Sequence, residues 1–154
     1  MNETILAVGA SGKFAGMVIP ELARRGASVR GFVHDPNDAG TVRSQGGAED
    51  VVIGDFADSV SVATALKGVD RVFYISPVAL PNEAEVGKAF VAASIDAGVR
   101  RFVFSSVIHP VLSGLPNHAR KGMVHVFPSN LALLRAAREA LDILGGFLRH
   151  NLGR

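Results

Sequence analysis

TILAVGASGKFAG, residues 4–16, is the stretch that decides how this chain folds. Thr4–Val8 is a short apolar run without alternation, the pattern of a strand covered on both faces. Gly9 ends it. Beyond Gly16, MVIPELARRG carries Val18, Ile19, Leu22 and Ala23 at helical spacing. Gly26 then follows Arg24 and Arg25, a glycine stop behind a basic last turn. Strand, glycine-rich turn and helix therefore stand in a row. Gly9, Gly12 and Ala15 occupy the small-residue places of a G-x-x-G-x-x-G/A turn. In such a turn the first glycine permits the sharp bend. The second leaves the backbone open to a pyrophosphate, and the third small residue lets helix and strand pack closely. Amides at the helix start, at its positive end, then hold the phosphates. An ordinary glycine-rich strand-to-helix turn would use the same residues. Pro20 conflicts with the helix, because an interior proline costs about 3 kcal/mol.

The same unit repeats along the chain. Ser28–Val33 reads as a second strand, followed by a short helix over Asp38–Gln45 that ends at Gly46-Gly47. Val51–Ile53 is a third strand, and a helix from Ser59 to Leu66 has Asp58 as its N-cap and Gly68 as its stop. Arg71–Ile75 is a fourth strand. Asn82 and Glu85 read as a capping box opening a longer helix, with Val86, Phe90, Ala93 and Ala97 as its apolar line. Phe102–Phe104 is a fifth strand, ending at Ser105-Ser106. Alternating strands and helices predict an α/β fold with a doubly wound parallel sheet, and right-handed crossovers give strand order 3-2-1-4-5.

Composition narrows the chemistry. The 154 residues suit one domain, 48% of them are apolar, and there is no Cys, which rules out disulfides and thiol catalysis. Trp is absent and Tyr74 is the one tyrosine. No apolar run reaches the ~18 residues of a membrane span, and Ile5–Val8 runs into Gly9 too soon for a signal peptide, so a cytoplasmic protein with no membrane association is expected. The net charge of +2 is uneven: residues 1–98 hold 8 Lys/Arg and 12 Asp/Glu, residues 99–154 hold 8 and 2. The C-terminal arginines read as scattered over a solvated surface, so direct nucleic-acid binding is not expected. His109, His118, His125 and His150 match no metal-ligand spacing.

GASGKFAG, the ELARRG helix end, FVHDP after the second strand, GDFADSVSVATALKGVDRVF, FVFSSVIHP and NHARK together resemble the NmrA-like atypical branch of the short-chain dehydrogenases/reductases, over about residues 4–121. The resemblance implies a Rossmann domain that binds NADP or NAD, in a branch of redox-sensing regulators and reductases of quinones or other small molecules. It places Gly9, Ser11, Gly12, Lys13 and Phe14 around the pyrophosphate, Asp55 and Phe56 at the adenine, and Ser76 and Pro77 along the cofactor. Each has a plainer reading: Asp55 as a helix cap, Phe56 as core, Pro77 as a strand breaker. His34 stands where NADP-preferring relatives carry an Arg against the 2′-phosphate. It lacks the fixed charge and the guanidinium fork. Asp35 beside it suits a ribose hydroxyl, as in NAD, or merely shapes the Asp35-Pro36 turn. The family tips the expectation slightly toward NADP.

The superfamily's Tyr-x-x-x-Lys pair is broken. Lys121 fits the lysine place, but Asn117 stands where the acid should be, and Asn donates no proton as an acid. Carbonyl reduction by a Tyr–Lys pair is therefore not expected. Hydride transfer to a quinone-like acceptor needs no such acid. The alternative is a non-enzymatic dinucleotide sensor acting through a protein partner. The likeness stops after Lys121, and residues 122–154 are expected to be an atypical or truncated helical tail. A sheet edge left bare by it would favour a homo-oligomer.

Overall fold

The computed structural model describes residues 3–76, 80, 82–105 and 124. Within them the order is β1 (Thr4–Val8), α1 (Lys13–Arg24), β2 (Ser28–Val33), α2 (Asp38–Gln45), β3 (Ala48–Ile53), α3 (Ser59–Ala65), β4 (Arg71–Ile75), α4 (Glu83–Asp96) and β5 (Arg101–Ser105). All four strand pairings are parallel, and the sheet runs β3-β2-β1-β4-β5. The chain switches direction of growth at β1/β4, where Val8 lies beside Tyr74 and, on its other side, Phe32.

Both faces of β1 are covered, which explains why it shows no alternation. Leu6 and Val8 join Phe32, Val62, Leu66, Val72, Tyr74 and Phe90 in one core cluster. Ala7 joins Ala10, Ala15, Ile19, Val29, Val33 and Val42 in another, on the side of α1 and α2. Arg71, Arg100, Glu3 and Asp70 are laced together by ion pairs of 2.6–3.3 Å below the amino ends of β1, β4 and β5.

Helix ends follow the predicted chemistry with one exception. Gly26 (φ +86) closes α1: its N–H donates to the Ala23 carbonyl and the Ala27 N–H to that of Leu22, the paired bonds of a Schellman end. Asp58 caps α3, accepting from the Val60 and Ser61 amides. Asn82 precedes α4, but its side chain makes no cap bond, so the expected capping box is not formed. Its backbone (φ −105, ψ 33) lies outside the extended geometry from which a cap reaches the first-turn amides. The helix continues through Pro20. The buried face of α4 runs through Ala84, Val86, Gly87, Phe90, Val91 and Ser94, whereas Ala97 is exposed. β3 begins three residues earlier than its apolar run, at Ala48. Val124 is buried, and a Cβ built on Gly87 would come within 2.6 Å of its Cγ2, so this residue of the expected tail packs directly on α4. The rest of residues 122–154 lie outside the described residues.

Candidate functional site

Four segments meet at the carboxyl ends of β1, β2, β3 and β4, the crevice where open α/β sheets bind ligands. The first is the turn from Gly9 to Gly12. Gly9 has φ +71, and a Cβ there would stand 2.9 Å from the Ile75 carbonyl oxygen, so only glycine fits between β1 and the end of β4. The Gly9 and Ala10 N–H groups both donate to the Phe32 carbonyl, at 3.2 and 3.3 Å, which ties the turn to β2. The Gly12 N–H donates back to the Gly9 carbonyl at 2.9 Å.

Gly12 is the exposed N-cap of α1 and brings no side-chain cap. The first helical bond runs from the Gly16 N–H to the Gly12 carbonyl, so the amides of Lys13, Phe14 and Ala15 have no backbone acceptor among the described residues. With no acidic residue in the first turn, this positive helix end is uncompensated from within its own helix. Ala15 is fully buried against the sheet, while Lys13 and Phe14 are exposed. The residues therefore fit a dinucleotide's pyrophosphate: open glycine backbone, unsatisfied amides, and a dipole of the right sign.

The second segment, after β2, sets His34 against Phe56 with ring centroids 6.0 Å apart. Phe56 itself meets Phe32 edge-to-face at 4.9 Å. Phe56 thus packs on the core, as its plainer reading expects. Asp35 Oδ1 accepts from the Asn37 backbone and side-chain N–H groups, at 2.8 and 2.9 Å, and so shapes the turn. Asp38, in the first turn of α2, accepts from the Ser11 hydroxyl at 2.7 Å. That carboxylate was not among the expected site residues; its meeting with Ser11 joins elements distant in sequence and leaves no local signal.

The third segment carries Asp55, whose Oδ1 accepts from the Ala57 N–H at 2.8 Å in a turn of its own. It is exposed, and Asp58, not Asp55, is the helix cap. Gly54 lets this turn approach Phe32, since a Cβ would come within 3.1 Å of its ring. The fourth segment is the end of β4. Tyr74 is fully buried among Phe90, Phe102 and Phe104, at centroid distances of 5.1–5.7 Å. Burial pushes its phenol up to about 12; Ser76 pulls it down and the charge of Glu83 pushes it up. The Tyr74 hydroxyl and the Ser76 Oγ have no hydrogen-bond partner of good geometry among the described residues. Pro77, Ser106, Asn117, Lys121 and the four later histidines lie outside the described residues. Among the described residues no three His, Asp or Glu cluster as a metal site, and no helix is long and apolar enough to cross a membrane.

Residues 1–127 match the model of the NmrA-like family, and the chain belongs to that family. It is 30% identical to an NAD(P)H azoreductase of Xenophilus azovorans over 104 residues, which are 68% of this chain and 35% of the azoreductase. Its fold is similar to that of an NADPH-dependent quinone oxidoreductase from Escherichia coli solved with NADPH. There the TM-score is 0.70 at 23% identity, over 82% of this chain and 44% of the other. It is also similar to NmrA, a negative transcriptional regulator, with a TM-score of 0.72 at 23% identity over 86% and 44% of the two chains. The chain thus spans about a third of the curated relative and under half of the solved ones.

Proposed function

Starting from membership of the NmrA-like family, we propose that this chain is the dinucleotide-binding part of an NAD(P)H-dependent reductase of quinone-like or other small acceptors. The observation that carries the reading is the Gly9–Gly12 turn, wedged between β1 and Ile75 and opening onto the free amides of α1. In this reading those amides take the pyrophosphate, His34 and Phe56 flank the adenosine, and Ser76 lines the route toward the nicotinamide. Bound there, the reduced dinucleotide supplies a hydride. A quinone that accepts it needs one proton from water to become the hydroquinone, so no tyrosine acid is required. The relatives solved with NADPH support NADP; the charges after β2 in this chain oppose it.

A second reading, a dinucleotide sensor that acts through a protein partner, is supported by the likeness to NmrA, a negative transcriptional regulator. Tyr74, the chain's single tyrosine, is sealed in the core and offers a surface acid to neither reading. Calorimetric titration with NADH, NADPH and their oxidised forms tests the shared premise. Gly12→Val should abolish binding by putting a branched side chain at the pyrophosphate, and unchanged affinity would sink both readings. Oxidation of bound NAD(P)H by a panel of quinones then separates reductase from sensor.

A further inference from the structure

The Ser11–Asp38 hydrogen bond joins the two halves of the adenosine edge. Ser11 belongs to the glycine turn, and Asp38 opens α2. Asp38 is half-buried, and its Oδ2 takes the Ser11 hydroxyl at 2.7 Å. Its Oδ1 has no partner among the described residues, so the carboxylate is fixed in place with one acceptor to spare. The approach is built in from below. At Gly31 a Cβ would stand 3.0 Å from Val42 Cγ1 of α2 and 3.1 Å from Ala10 Cβ of the turn, so β2 draws both toward one point.

The charged residues between the end of β2 and the last turn of α2 have one sign, while the glycine turn itself brings Lys13. Between Arg30 and Arg43 the chain has no Lys or Arg, but has Asp35 and Asp38. Asp35 is held in the same turn by Asn37, and His34, the one basic side chain between Val33 and Arg43, lies against Phe56. The one basic residue of α2, Arg43, is in its last turn.

We infer that Asp38, positioned by Ser11, makes this chain select NAD(H) over NADP(H). The inference rests on the proposed dinucleotide site. A ribose 2′-hydroxyl is a donor and suits the spare carboxylate oxygen. A 2′-phosphate brings a charge of about −1.5 to −2 and only acceptors, so it meets the same oxygen with repulsion and no proton to share. Ser11 acts through Asp38 by fixing its rotamer. This departs from the slight NADP expectation, which came from the family and not from these charges.

Equilibrium titration of the full chain with NADH and NADPH, followed by nicotinamide fluorescence, tests it. NADH should bind roughly tenfold or more tightly than NADPH at low salt, with the ratio narrowing as salt rises and screens the repulsion. Asp38→Asn keeps the shape and removes the charge; it should weaken NADH, strengthen NADPH and bring the ratio near one. Ser11→Ala should shift the ratio the same way, less far. A merely structural role for Asp38 would lower both affinities together and leave the ratio unmoved, and that result overturns the inference. NADPH binding as tightly as NADH in the unaltered chain also overturns it. Failure of both dinucleotides to bind removes the site itself, and the proposed function with it.

Discussion

Replacing Gly9 with alanine puts two separable costs on one residue. The first is conformational: φ +71 is left-handed, and an L residue there costs about 1–2 kcal/mol. The second is steric. The new Cβ would stand 2.9 Å from the Ile75 carbonyl oxygen, a backbone atom inside the sheet that cannot swing aside. Overpacking of that kind adds roughly 1–3 kcal/mol. Gly26 supplies the control, since it has φ +86 and nothing within 4 Å of its would-be Cβ. Gly26→Ala therefore carries the first cost alone. At about 2–8 °C of midpoint per kcal/mol, Gly26→Ala should melt a few degrees below the parent, and Gly9→Ala roughly 10 °C or more below it. Thermal and urea unfolding followed by circular dichroism read both. Dinucleotide affinity, measured where both variants are folded, should fall in Gly9→Ala and hold in Gly26→Ala. Equal melting shifts in the two variants would show that the turn is not wedged against β4, and the description of the Gly9–Gly12 turn would fail with it.

Other outcomes follow from the packing and the charges. Gly87→Ala should destabilise the chain because its Cβ runs into Val124, and adding Val124→Ala should recover part of the loss; a double variant no better than the single would mean that Val124 does not rest on α4. Tyr74→Phe removes a buried hydroxyl that has no hydrogen-bond partner of good geometry among the described residues, so stability should stay within about 1 kcal/mol of the parent or rise, and a larger loss in urea unfolding would reveal a hydrogen bond to that oxygen. The Thr4 amide and then Arg100 hold the Asp70 carboxyl below its ordinary range, so its contribution is present above the unfolded pKa of about 3.9 and is lost as pH falls through the lower folded value. The stability gap between the parent and Asp70→Asn should therefore be widest near neutrality and close in acid; a gap constant with pH would contradict the pairing.

Elements whose signal is local were legible in the sequence. β2, α2 and β4 have the bounds that apolar runs and glycine stops suggest, and the Asp58 cap forms as its position predicts. The apolar run understates β3 because Glu49 and Asp50 on that edge strand are exposed and interrupt it. Periodicity placed Ala97 on the inner face of α4, but that helix ends at Asp96 and its last turn sheds the sheet. The glycine turn was legible because strand, glycine spacing and helix are all local. The site's other edge was only partly so. His34 and Phe56 were each singled out, but their pairing is tertiary, and Asp38 gains its place only when α2 docks against Ser11.

The strand order also imposes a schedule on synthesis. β1 leaves the ribosome first and can pair with β2 at once, but its other side waits for β4. Until then the Gly9 turn is open on one flank, since the Ile75 carbonyl against which it is wedged has not been made. A chain halted after β3 already has the bonds that tie this turn to the Phe32 carbonyl of β2, but its β4 flank is still open. The crevice between the carboxyl ends of β1 and β4 is complete only once Val8 has Tyr74 beside it.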